Sequence, residues 1–414
     1  MSPPPRFIVV GAGPAGLSLA LQLAEGGAEV ALIEASDRFK RQFRGEALMP
    51  SGQEALAQMG LLPLLKELPQ RPLEGWSVWL ERRRLFRVAE PLGSLQPCTL
   101  VPQEALLEAL LERARRCPNL QWRPGQAVRQ LLKRGTRISG VELSNGEQLE
   151  ADLVIGCDGR GSLLRQQAGI QLQPLGAPLE LLWFELPGPI PKDCVWGFQT
   201  LVAGGRIGSA CLNASGHLQL AWLLKPGEER DNLASEEWAQ RLANLAPAPL
   251  APLLLERGAS LRAPVRFKVQ VGMAERWQQP GLLLLGDAAH PMSPIRAQGI
   301  NVALRDSVVA AEALLAGGDP GAAAETIERQ RRPEVRRLQA LQQAEARQGH
   351  LIGYTAPLRH GLTLTRGLMG PIAQRVWMAR QRPLRDGLPG QLPKPKLEVL
   401  RSGETHRNAQ APGM

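Results

Sequence analysis

A glycine-rich loop near the N-terminus constrains the fold more than any other feature of this sequence. An apolar run over residues 6–10 is typical of a buried strand, and residues 17–24 have the periodicity of a helix. Between them stands Gly-x-Gly-x-x-Gly: one glycine permits a tight turn, the next lets the backbone approach a diphosphate, and the last allows close helix packing. The helix N-terminus adds free N–H groups for the phosphates. We therefore predict a dinucleotide site at Gly11, Ala12, Gly13, Pro14, Ala15 and Gly16.

Glu34 extends this prediction to the adenosine end of the ligand. It follows a second apolar run, residues 29–33, which is expected to be the next strand of a β-α-β unit. A carboxylate at this place can accept hydrogen bonds from both ribose hydroxyls. Its negative charge would repel a 2′-phosphate, so this loop is not expected to hold NADP.

The remaining chain predicts an α/β protein with an inserted β domain. Buried-strand patterns recur at 152–156 and 281–285, whereas short β-like runs separated by glycine and proline fill 179–224. The C-terminal part is helical in pattern, and Pro333 is expected to kink or divide a long basic helix near 320–349. The expected fold class is a discontinuous Rossmann-type domain, an antiparallel β-sheet substrate domain inserted into it, and C-terminal helices. The predicted boundaries are 1–70, 96–175 and 271–325 for the Rossmann-type domain, 71–95 and 176–270 for the substrate domain, 326–385 for the C-terminal helices, and 386–414 for a loose tail.

Composition and charge narrow the functional class. Hydrophobic residues make up 44% of the 414 residues, and no apolar run is long enough to span a bilayer. The formal net charge is +10, but the basic residues are not interleaved with aromatic residues, so we predict no nucleic-acid partner. The N-terminus lacks the features of a secretory signal, and the five cysteines form no Cys-x-x-Cys pair. A reducing, cytoplasmic location and the absence of a metal site are therefore expected.

Three further segments carry chemically informative residues in a fixed order along the chain. Residues 44–46 read Arg-Gly-Glu, and Asp158-Gly159 follows a predicted strand. Residues 286–301 contain Gly-Asp-Ala-Ala-His-Pro and then Pro-Ile-Arg-Ala-Gln-Gly-Ile-Asn. Each segment alone is weak evidence, since Asp-Gly is a common turn and a single arginine is usually a solvated charge. Together with the N-terminal loop they resemble the single-component, FAD-dependent aromatic-hydroxylase-like monooxygenases of the para-hydroxybenzoate hydroxylase type, over about residues 6–345.

This resemblance implies where FAD would contact the chain. Arg44 would reach the diphosphate region, Gln103 would lie near the flavin, and Val128 would touch adenine through its backbone. Asp158 and Gly159 would serve both FAD and a transient pyridine nucleotide. The full set of implied FAD-binding residues is Gly11, Ala12, Gly13, Pro14, Ala15, Gly16, Glu34, Ala35, Arg44, Gln103, Val128, Asp158, Gly159, Gly286, Asp287, Pro294, Ala297, Gln298, Gly299, Ile300 and Asn301.

The segment after the last predicted strand is implied to hold the flavin ring. Asp287 would bind a ribityl hydroxyl, and Gln298 to Asn301 would open a helix whose N-terminal amides face flavin N1 and C2=O. The resemblance implies that His290 is structural. Arg296 departs from the family, which usually has glycine there for close backbone approach or an unusual φ. Flavin affinity, redox potential and turnover are therefore expected to depend on where this side chain points.

The implied activity is that of a monooxygenase. NADPH or NADH would reduce FAD, and a flavin hydroperoxide formed with O2 would hydroxylate or epoxidise an aromatic or unsaturated small molecule. No second Gly-x-Gly-x-x-Gly occurs, so the nicotinamide donor is expected to bind only transiently. No side chain is predicted as a catalytic acid or base. Two alternatives stay open: a flavin-dependent reductase or dehydrogenase of an isoprenoid or quinone-like lipid, and a flavin-binding protein without turnover.

Two regions bear on the substrate. The pocket is expected between the flavin and the inserted sheet, and the aromatic residues Trp183, Trp196, Phe198 and Trp222 on that sheet are predicted mainly to form core. Residues 350–382 mix large apolar residues with arginines. Such a segment either packs over the core with its arginines reaching to solvent, which is the favoured interpretation, or lies on a membrane surface.

Overall fold

The three-dimensional structure is a computed structural model that describes residues 6–39, 46–93, 96–191, 193–225, 227–228, 233–390 and 392. Its strands are β1 (Arg6–Val10), β2 (Glu29–Ile33), β3 (Ala47–Leu48), β4 (Arg71–Pro72), β5 (Gly75–Leu80), β6 (Arg83–Ala89), β7 (Thr99–Leu100), β8 (Leu120–Arg123), β9 (Val128–Arg134), β10 (Arg137–Leu143), β11 (Gln148–Glu150), β12 (Leu153–Gly156), β13 (Leu172–Pro174), β14 (Leu179–Leu186), β15 (Phe198–Ala203), β16 (Arg206–Leu212), β17 (Leu218–Leu223), β18 (Val265–Val269), β19 (Gly272–Ala274), β20 (Gln278–Gln279) and β21 (Leu282–Leu284). Its α-helices are α1 (Pro14–Glu25), α2 (Pro50–Gln58), α3 (Leu62–Glu67), α4 (Gln103–Ala114), α5 (Leu163–Gln167), α6 (Ser235–Leu245), α7 (Ala251–Glu256), α8 (Gln298–Leu315), α9 (Pro320–Tyr354), α10 (Ala356–Leu364) and α11 (Arg366–Asp386).

A six-stranded sheet, in the order β20–β21–β12–β1–β2–β8, carries the glycine-rich loop. The strands from β21 to β8 run parallel, and β20 pairs antiparallel at one edge. β1 is apolar because both of its faces are covered. Phe7 and Val9 pack in the cluster with α1, α4 and α8, whereas Ile8 and Val10 pack in the cluster with the β9–β11 meander. The loop between β1 and α1 therefore leaves the sheet at the carboxyl ends of its parallel strands, where ligands bind in open α/β sheets.

A seven-stranded sheet, in the order β18–β14–β17–β16–β15–β5–β6, forms the second half of the molecule. Neighbouring strands in this sheet run antiparallel, except that β15 and β5 run parallel to each other. Strands from residues 75–89 thus share one sheet with strands from 179–269. One face packs beneath α6 and α7 in a cluster that includes Phe184, Trp222 and Trp238. The opposite face borders the cavity described below.

Helix α9 differs from the prediction. It runs unbroken across its full length with Pro333 inside it, so of the two predicted outcomes, a kink or a division, the division was wrong. Ion pairs to α8 flank the proline, between Arg331 and Asp306 and between Glu334 and Arg305. They hold the turn in which proline lacks an N–H donor. The predicted boundary between the Rossmann-type domain and the C-terminal helices falls inside α9.

The C-terminal helices complete the described part of the chain. Helix α11 packs against β6, α9 and α2. None of the helices in the described ranges combines the length and the apolar character required to cross a bilayer. The tail predicted at 386–414 lies mostly outside the described residues.

Candidate functional site

A large cavity borders both sheets. Its volume is about 1440 Å³. The glycine-rich loop and the start of α8 form one side, and the seven-stranded sheet and α11 form the other. The structure brings the following predicted site residues to this cavity: Gly11, Ala12, Gly13, Pro14, Ala15, Glu34, Ala35, Gln103, Val128, Asp158, Gly159, Gly286, Asp287, Pro294, Ala297, Gly299 and Ile300.

The surroundings of the three loop glycines distinguish their roles. A Cβ atom on Gly11, whose φ is +99°, would lie 2.4 Å from the carbonyl oxygen of Cys157. A Cβ atom on Gly16 would lie 1.9 Å from the carbonyl oxygen of Gly11. The packing of the protein itself therefore requires both glycines. A Cβ atom on Gly13 would meet nothing within 4 Å among the described residues, so the space above Gly13 is open to a ligand.

Glu34 fixes the loop in addition to its predicted role. Its buried carboxylate accepts hydrogen bonds from the backbone N–H of Ala12 at 2.9 Å and of Ser36 at 3.1 Å. A carboxylate offers about four acceptor positions, so the same group can also accept ribose hydroxyls. The acid that ends β2 thus shapes the loop and presents acceptors to the cavity.

Two aspartates that line the cavity follow the ends of the adjacent parallel strands β12 and β21. Asp158 accepts a hydrogen bond from the backbone N–H of Leu164 at 3.1 Å, while its Oδ1 atom is buried without a partner among the described residues. Asp287 pairs with Arg160, whose Nε lies 3.1 Å from Asp287 Oδ2. Gly286, with φ +58°, lets this segment pass close to Ala15 of the glycine loop. A buried acceptor without a donor at the cavity wall fits a ligand that carries hydroxyl groups.

The start of α8 presents backbone atoms to the cavity. Gly299 and Ile300 line it, and the first-turn N–H groups of a helix have no intrahelical acceptor. The Gln298 side chain points elsewhere, since its amide donates to the carbonyl oxygens of Arg296 at 2.8 Å and Leu384 at 2.6 Å. The helix N-terminus can therefore stabilise negative charge in the cavity through its amides and dipole.

Asn301 braces this helix start and does not line the cavity. Its amide accepts from the N–H of Met49 at 2.8 Å and donates to the carbonyl oxygens of Ala47 at 3.0 Å and Ala297 at 2.7 Å. The side chain therefore ties α8 to β3. Arg44, the remaining predicted diphosphate contact, lies outside the described residues.

Arg296 points into the cavity wall. Its guanidinium carbon lies 5.0 Å from the ring centroids of both Trp76 and Trp377, and its Nε donates to Glu345 at 2.8 Å. The two indole rings are themselves 6.1 Å apart, and the arginine side chain is only 8% exposed. We call Arg296, Trp76, Trp377 and Glu345 the arginine clamp. Since these residues come from the turn before α8, β5, α11 and α9, the clamp joins four parts of the cavity wall.

The backbone at the clamp has the conformation for which glycine is usual. Arg296 and Ala297 have φ values of 59° and 48°, in the left-handed region. Each such non-glycine residue costs about 1 kcal/mol and persists only where its surroundings hold it. The contacts of the arginine clamp stabilise this backbone conformation, which explains how an arginine is accommodated at this position.

Replacing Arg296 with glycine is expected to lower the free energy of unfolding by about 2 kcal/mol, because two cation–π contacts are lost while backbone strain is relieved. FAD binding should persist, but NAD(P)H oxidation should yield more hydrogen peroxide per product, because Trp76 and Trp377 both line the cavity. Denaturant titration and peroxide assays measure these effects. Arg296→Lys keeps the charge but not the planar stacking, so it should restore only part of the stability. Wild-type stability and coupling in Arg296→Gly would contradict this role.

Glu46 is a cavity residue that the sequence analysis did not single out. Burial raises the pKa of its carboxyl group, and the nearby Glu185 carboxylate raises it further. Its Oε2 atom is buried without a hydrogen-bond partner among the described residues. The only sequence signal was its place in Arg-Gly-Glu, which does not reveal burial. A carboxyl group in this setting holds its proton to a higher pH than an exposed glutamate.

His290 lies away from the cavity in a buried ion network. Its Nε2 is 2.7 Å from Asp306 Oδ2, and its ring packs against Trp277 in a tilted arrangement with the centroids 4.7 Å apart. Asp306 also accepts from Arg331 Nε at 2.8 Å, and Arg331 pairs with Glu334. We call His290, Asp306, Arg331, Glu334 and Arg305 the α8–α9 network. This geometry supports a structural role for His290.

The aromatic residues of the second sheet divide between core and cavity. Trp222 lies in the buried cluster with Trp238, as predicted. Trp183 lines the cavity, so the prediction that it forms core was wrong. Phe198 also lines the cavity, but it packs against the buried cluster around Trp76 as well. Trp196 instead lies under the guanidinium of Arg87, at 4.1 Å from its ring centroid. Alternation along a strand identifies one face, but it cannot distinguish the face against helices from the face against a cavity.

The residues at the cavity fit FAD. The open space above Gly13 suits a diphosphate, the Glu34 carboxylate suits ribose hydroxyls, and the unpartnered Asp158 Oδ1 suits a further hydroxyl donor. The first-turn amides of α8 suit the electron-rich edge of a flavin. These features lie along one continuous cavity that leads to the seven-stranded sheet.

Comparison with known proteins agrees with this geometry. Residues 6–341 match the family described as FAD binding domain. The 6-methylpretetramide 4-monooxygenase of Streptomyces rimosus is 33% identical over 355 residues, which cover 82% of this chain and 83% of that protein. The 3-demethoxyubiquinol 3-hydroxylase of Escherichia coli (strain K12) is 30% identical over 321 residues, covering 73% and 78%.

Solved structures show the same fold. PqsL of P. aeruginosa in complex with 2-aminobenzoylacetate superposes with a TM-score of 0.74 at 19% identity, over 87% of this chain and 99% of that chain. The p-nitrophenol 4-monooxygenase PnpA of Pseudomonas putida DLL-E4 gives a TM-score of 0.75 at 18% identity, over 93% and 99%.

The comparisons also decide between the interpretations left open above. The named relatives are monooxygenases and hydroxylases, which supports the predicted activity and neither of its two alternatives. The predicted resemblance to the para-hydroxybenzoate hydroxylase type and the predicted FAD cofactor are confirmed. The chain belongs to the FAD binding domain family and is an FAD-dependent monooxygenase.

Proposed function

We propose that this enzyme oxygenates a bulky, mostly apolar aromatic or unsaturated molecule, with O2 as co-substrate and NADH or NADPH as electron donor. The volume and the lining of the cavity support this proposal. Its volume of about 1440 Å³ exceeds the ~300–1,000 Å³ of ordinary ligand pockets, as a space for FAD and a large substrate together requires. Beyond the glycine loop its wall is mostly apolar, with Leu85, Leu181, Trp183, Val202 and Phe267.

The names of relatives support a substrate of this kind. They include a monooxygenase of 6-methylpretetramide, a hydroxylase of 3-demethoxyubiquinol and an epoxidase of squalene. These three substrates differ from one another, so the names support a bulky class of molecule and no single compound.

The residues of the chain position and shield the reactants. Bound FAD supplies the electron transfer and the activation of oxygen. The α8 amides place the positive end of a helix dipole against negative charge, and the apolar sheet face excludes water from the substrate. Burial raises the pKa of Glu46, which favours the protonated, hydrogen-bond-donating form of its carboxyl group more than in an exposed glutamate.

The nicotinamide donor is proposed to bind transiently near Asp158, Gly159 and Arg160. All three residues line the cavity. The Arg160 side chain is 40% exposed, so its guanidinium is accessible to the phosphates of an incoming dinucleotide. This placement would bring the donor to the edge of the FAD site without a second glycine-rich loop.

A reducing compartment such as the cytoplasm is the proposed location. All five cysteines are free thiols, and Cys98, Cys194 and Cys211 are buried. Burial raises the pKa of Cys211 to about 12, so this thiol stays protonated and unreactive.

The test begins with the absorption spectrum of the purified protein and continues with product analysis. Flavin bands that survive desalting, NAD(P)H oxidation stimulated by polycyclic phenols or quinols, and one ¹⁸O atom from ¹⁸O2 in the product are expected. A ligand reduced by the enzyme without gaining ¹⁸O would instead indicate a reductase. Stimulation by small monocyclic phenols alone would remove the proposed substrate class.

A further inference from the structure

An exposed apolar stripe runs along the C-terminal helices. Leu364, Leu368, Ile372 and Val376 stand four residues apart, and their exposed fractions are 83%, 73%, 47% and 43%. Residues three or four apart lie on one face of a helix, so the last three form a continuous ridge along α11. We call these four residues the apolar stripe. Contiguous exposure of large apolar side chains marks an interaction surface, whereas scattered exposure does not.

The stripe lies in a segment without acidic residues. No aspartate or glutamate occurs at positions 346–385. The same positions contain Arg347, Arg359, Arg366, Arg375, Arg380, Arg382 and Arg385. The charge of this segment is therefore entirely positive.

Most of these arginines are available at the surface. Arg359 and Arg385 are buried and pair with acidic side chains elsewhere in the chain. Arg375 and Arg382 are exposed, and no acidic partner is found for either within the described ranges. Arg375 lies seven residues after Leu368, and Arg382 lies seven residues after Arg375. Seven residues make nearly two helical turns, so both arginines project on the same side of α11 as the apolar stripe.

The stripe reaches the mouth of the cavity. Ile372 and Val376 are exposed to solvent and also line the cavity. Leu362 and Met369 of the same two helices line it as well. An opening of the cavity therefore lies beside the stripe.

We propose that the apolar stripe docks on the surface of an anionic phospholipid bilayer, with Arg375 and Arg382 at the headgroups. Apolar side chains beside exposed arginines are the pattern by which a helix lies in a membrane interface. Charge complementarity favours this occupant over a second copy of the chain. A symmetric dimer through this face would bring the same arginines against one another.

Docking has a consequence for the substrate, and this step alone rests on the proposed function. The mouth beside Ile372 and Val376 would face the bilayer. A lipophilic substrate is concentrated in the bilayer, so it could enter the cavity without crossing water. Binding to lipid can be measured without any substrate. A negative result for bilayer docking therefore does not bear on the proposed oxygenation, and a negative result for the oxygenation does not bear on docking.

The test is flotation of the FAD-loaded enzyme with vesicles of phosphatidylcholine alone or of equal parts phosphatidylcholine and phosphatidylglycerol. The enzyme should float with the anionic vesicles and release from them at high salt, because screening weakens the arginine contacts. Leu364→Gln and Leu368→Gln should each lower vesicle affinity by about tenfold. Arg375→Gln should lower it by about fivefold.

Leu255→Gln is the matched control, because Leu255 is 52% exposed but lies on α7, away from the stripe. It should bind vesicles like the wild type. None of these four positions lines the cavity, so all variants should keep the flavin spectrum. Absence of wild-type flotation, or equal losses in Leu368→Gln and Leu255→Gln, would overturn the proposal. A wild-type dimer that Leu368→Gln converts to monomer in sedimentation would assign the stripe to a second copy instead.

Discussion

Replacing Gly13 with valine is expected to abolish retention of FAD while the apoprotein stays folded. Gly13 has φ −73°, which valine can adopt, and a Cβ atom there would meet no described protein atom within 4 Å. The added side chain would instead fill the space assigned to the diphosphate. We expect the affinity for FAD to fall by about 100-fold or more, equivalent to about 3 kcal/mol. Flavin absorbance after desalting and calorimetric titration of the apoprotein measure the change.

Gly16→Ala provides the matched contrast. Its Cβ atom would lie 1.9 Å from the carbonyl oxygen of Gly11, so the loop must move before any ligand is present. We expect this variant to lower the free energy of unfolding of the apoprotein by about 3 kcal/mol, whereas Gly13→Val should leave it unchanged. If Gly13→Val retained FAD like the wild type, the diphosphate would have to lie elsewhere in the cavity.

The parts of the fold that depend on local pattern could be predicted from the sequence. Residues 6–10 and 29–33 form strands with the predicted bounds, because periodicity and flanking glycine or proline residues are local signals. The cavity-lining position of most predicted FAD contacts followed from an ordered set of motifs. These contacts follow the ends of parallel strands in the sequence. The carboxyl ends of parallel strands lie at the same edge of a sheet, so the contacts were expected to lie close together.

The features that depend on tertiary contacts could not be predicted. Trp76, Glu345 and Trp377 come from distant segments, and nothing in the sequence pairs them with Arg296. The continuity of α9 through Pro333 has the same origin, since intrinsic propensity argues for a break and ion pairs to α8 override it. Burial of Glu46 likewise arises from the assembly of the cavity.

The α8–α9 network should make a large, pH-dependent contribution to stability. Burial alone would raise the pKa of Asp306, but His290 and Arg331 outweigh it and hold the pKa below its ordinary value of 3.8. The pKa of Glu334 is lowered from 4.5, because Arg331 and Arg305 outweigh the effect of its burial. A carboxyl group with a depressed folded-state pKa stabilises the protein above its unfolded-state pKa. This contribution is lost as the pH falls through the folded-state value.

Asp306→Asn is therefore expected to lower the free energy of unfolding at pH 7 by about 3–5 kcal/mol, because it removes a buried charge that pairs with His290 and Arg331. The difference from the wild type should shrink as the pH falls below about 4, where the wild-type carboxyl groups begin to take up protons. Denaturant titrations between neutral and acid pH measure this. Glu112→Gln, at a side chain 74% exposed, is the control and should change stability by less than about 0.5 kcal/mol. A difference that stayed constant across this pH range would mean that the network stabilises α8 through packing and not through charge.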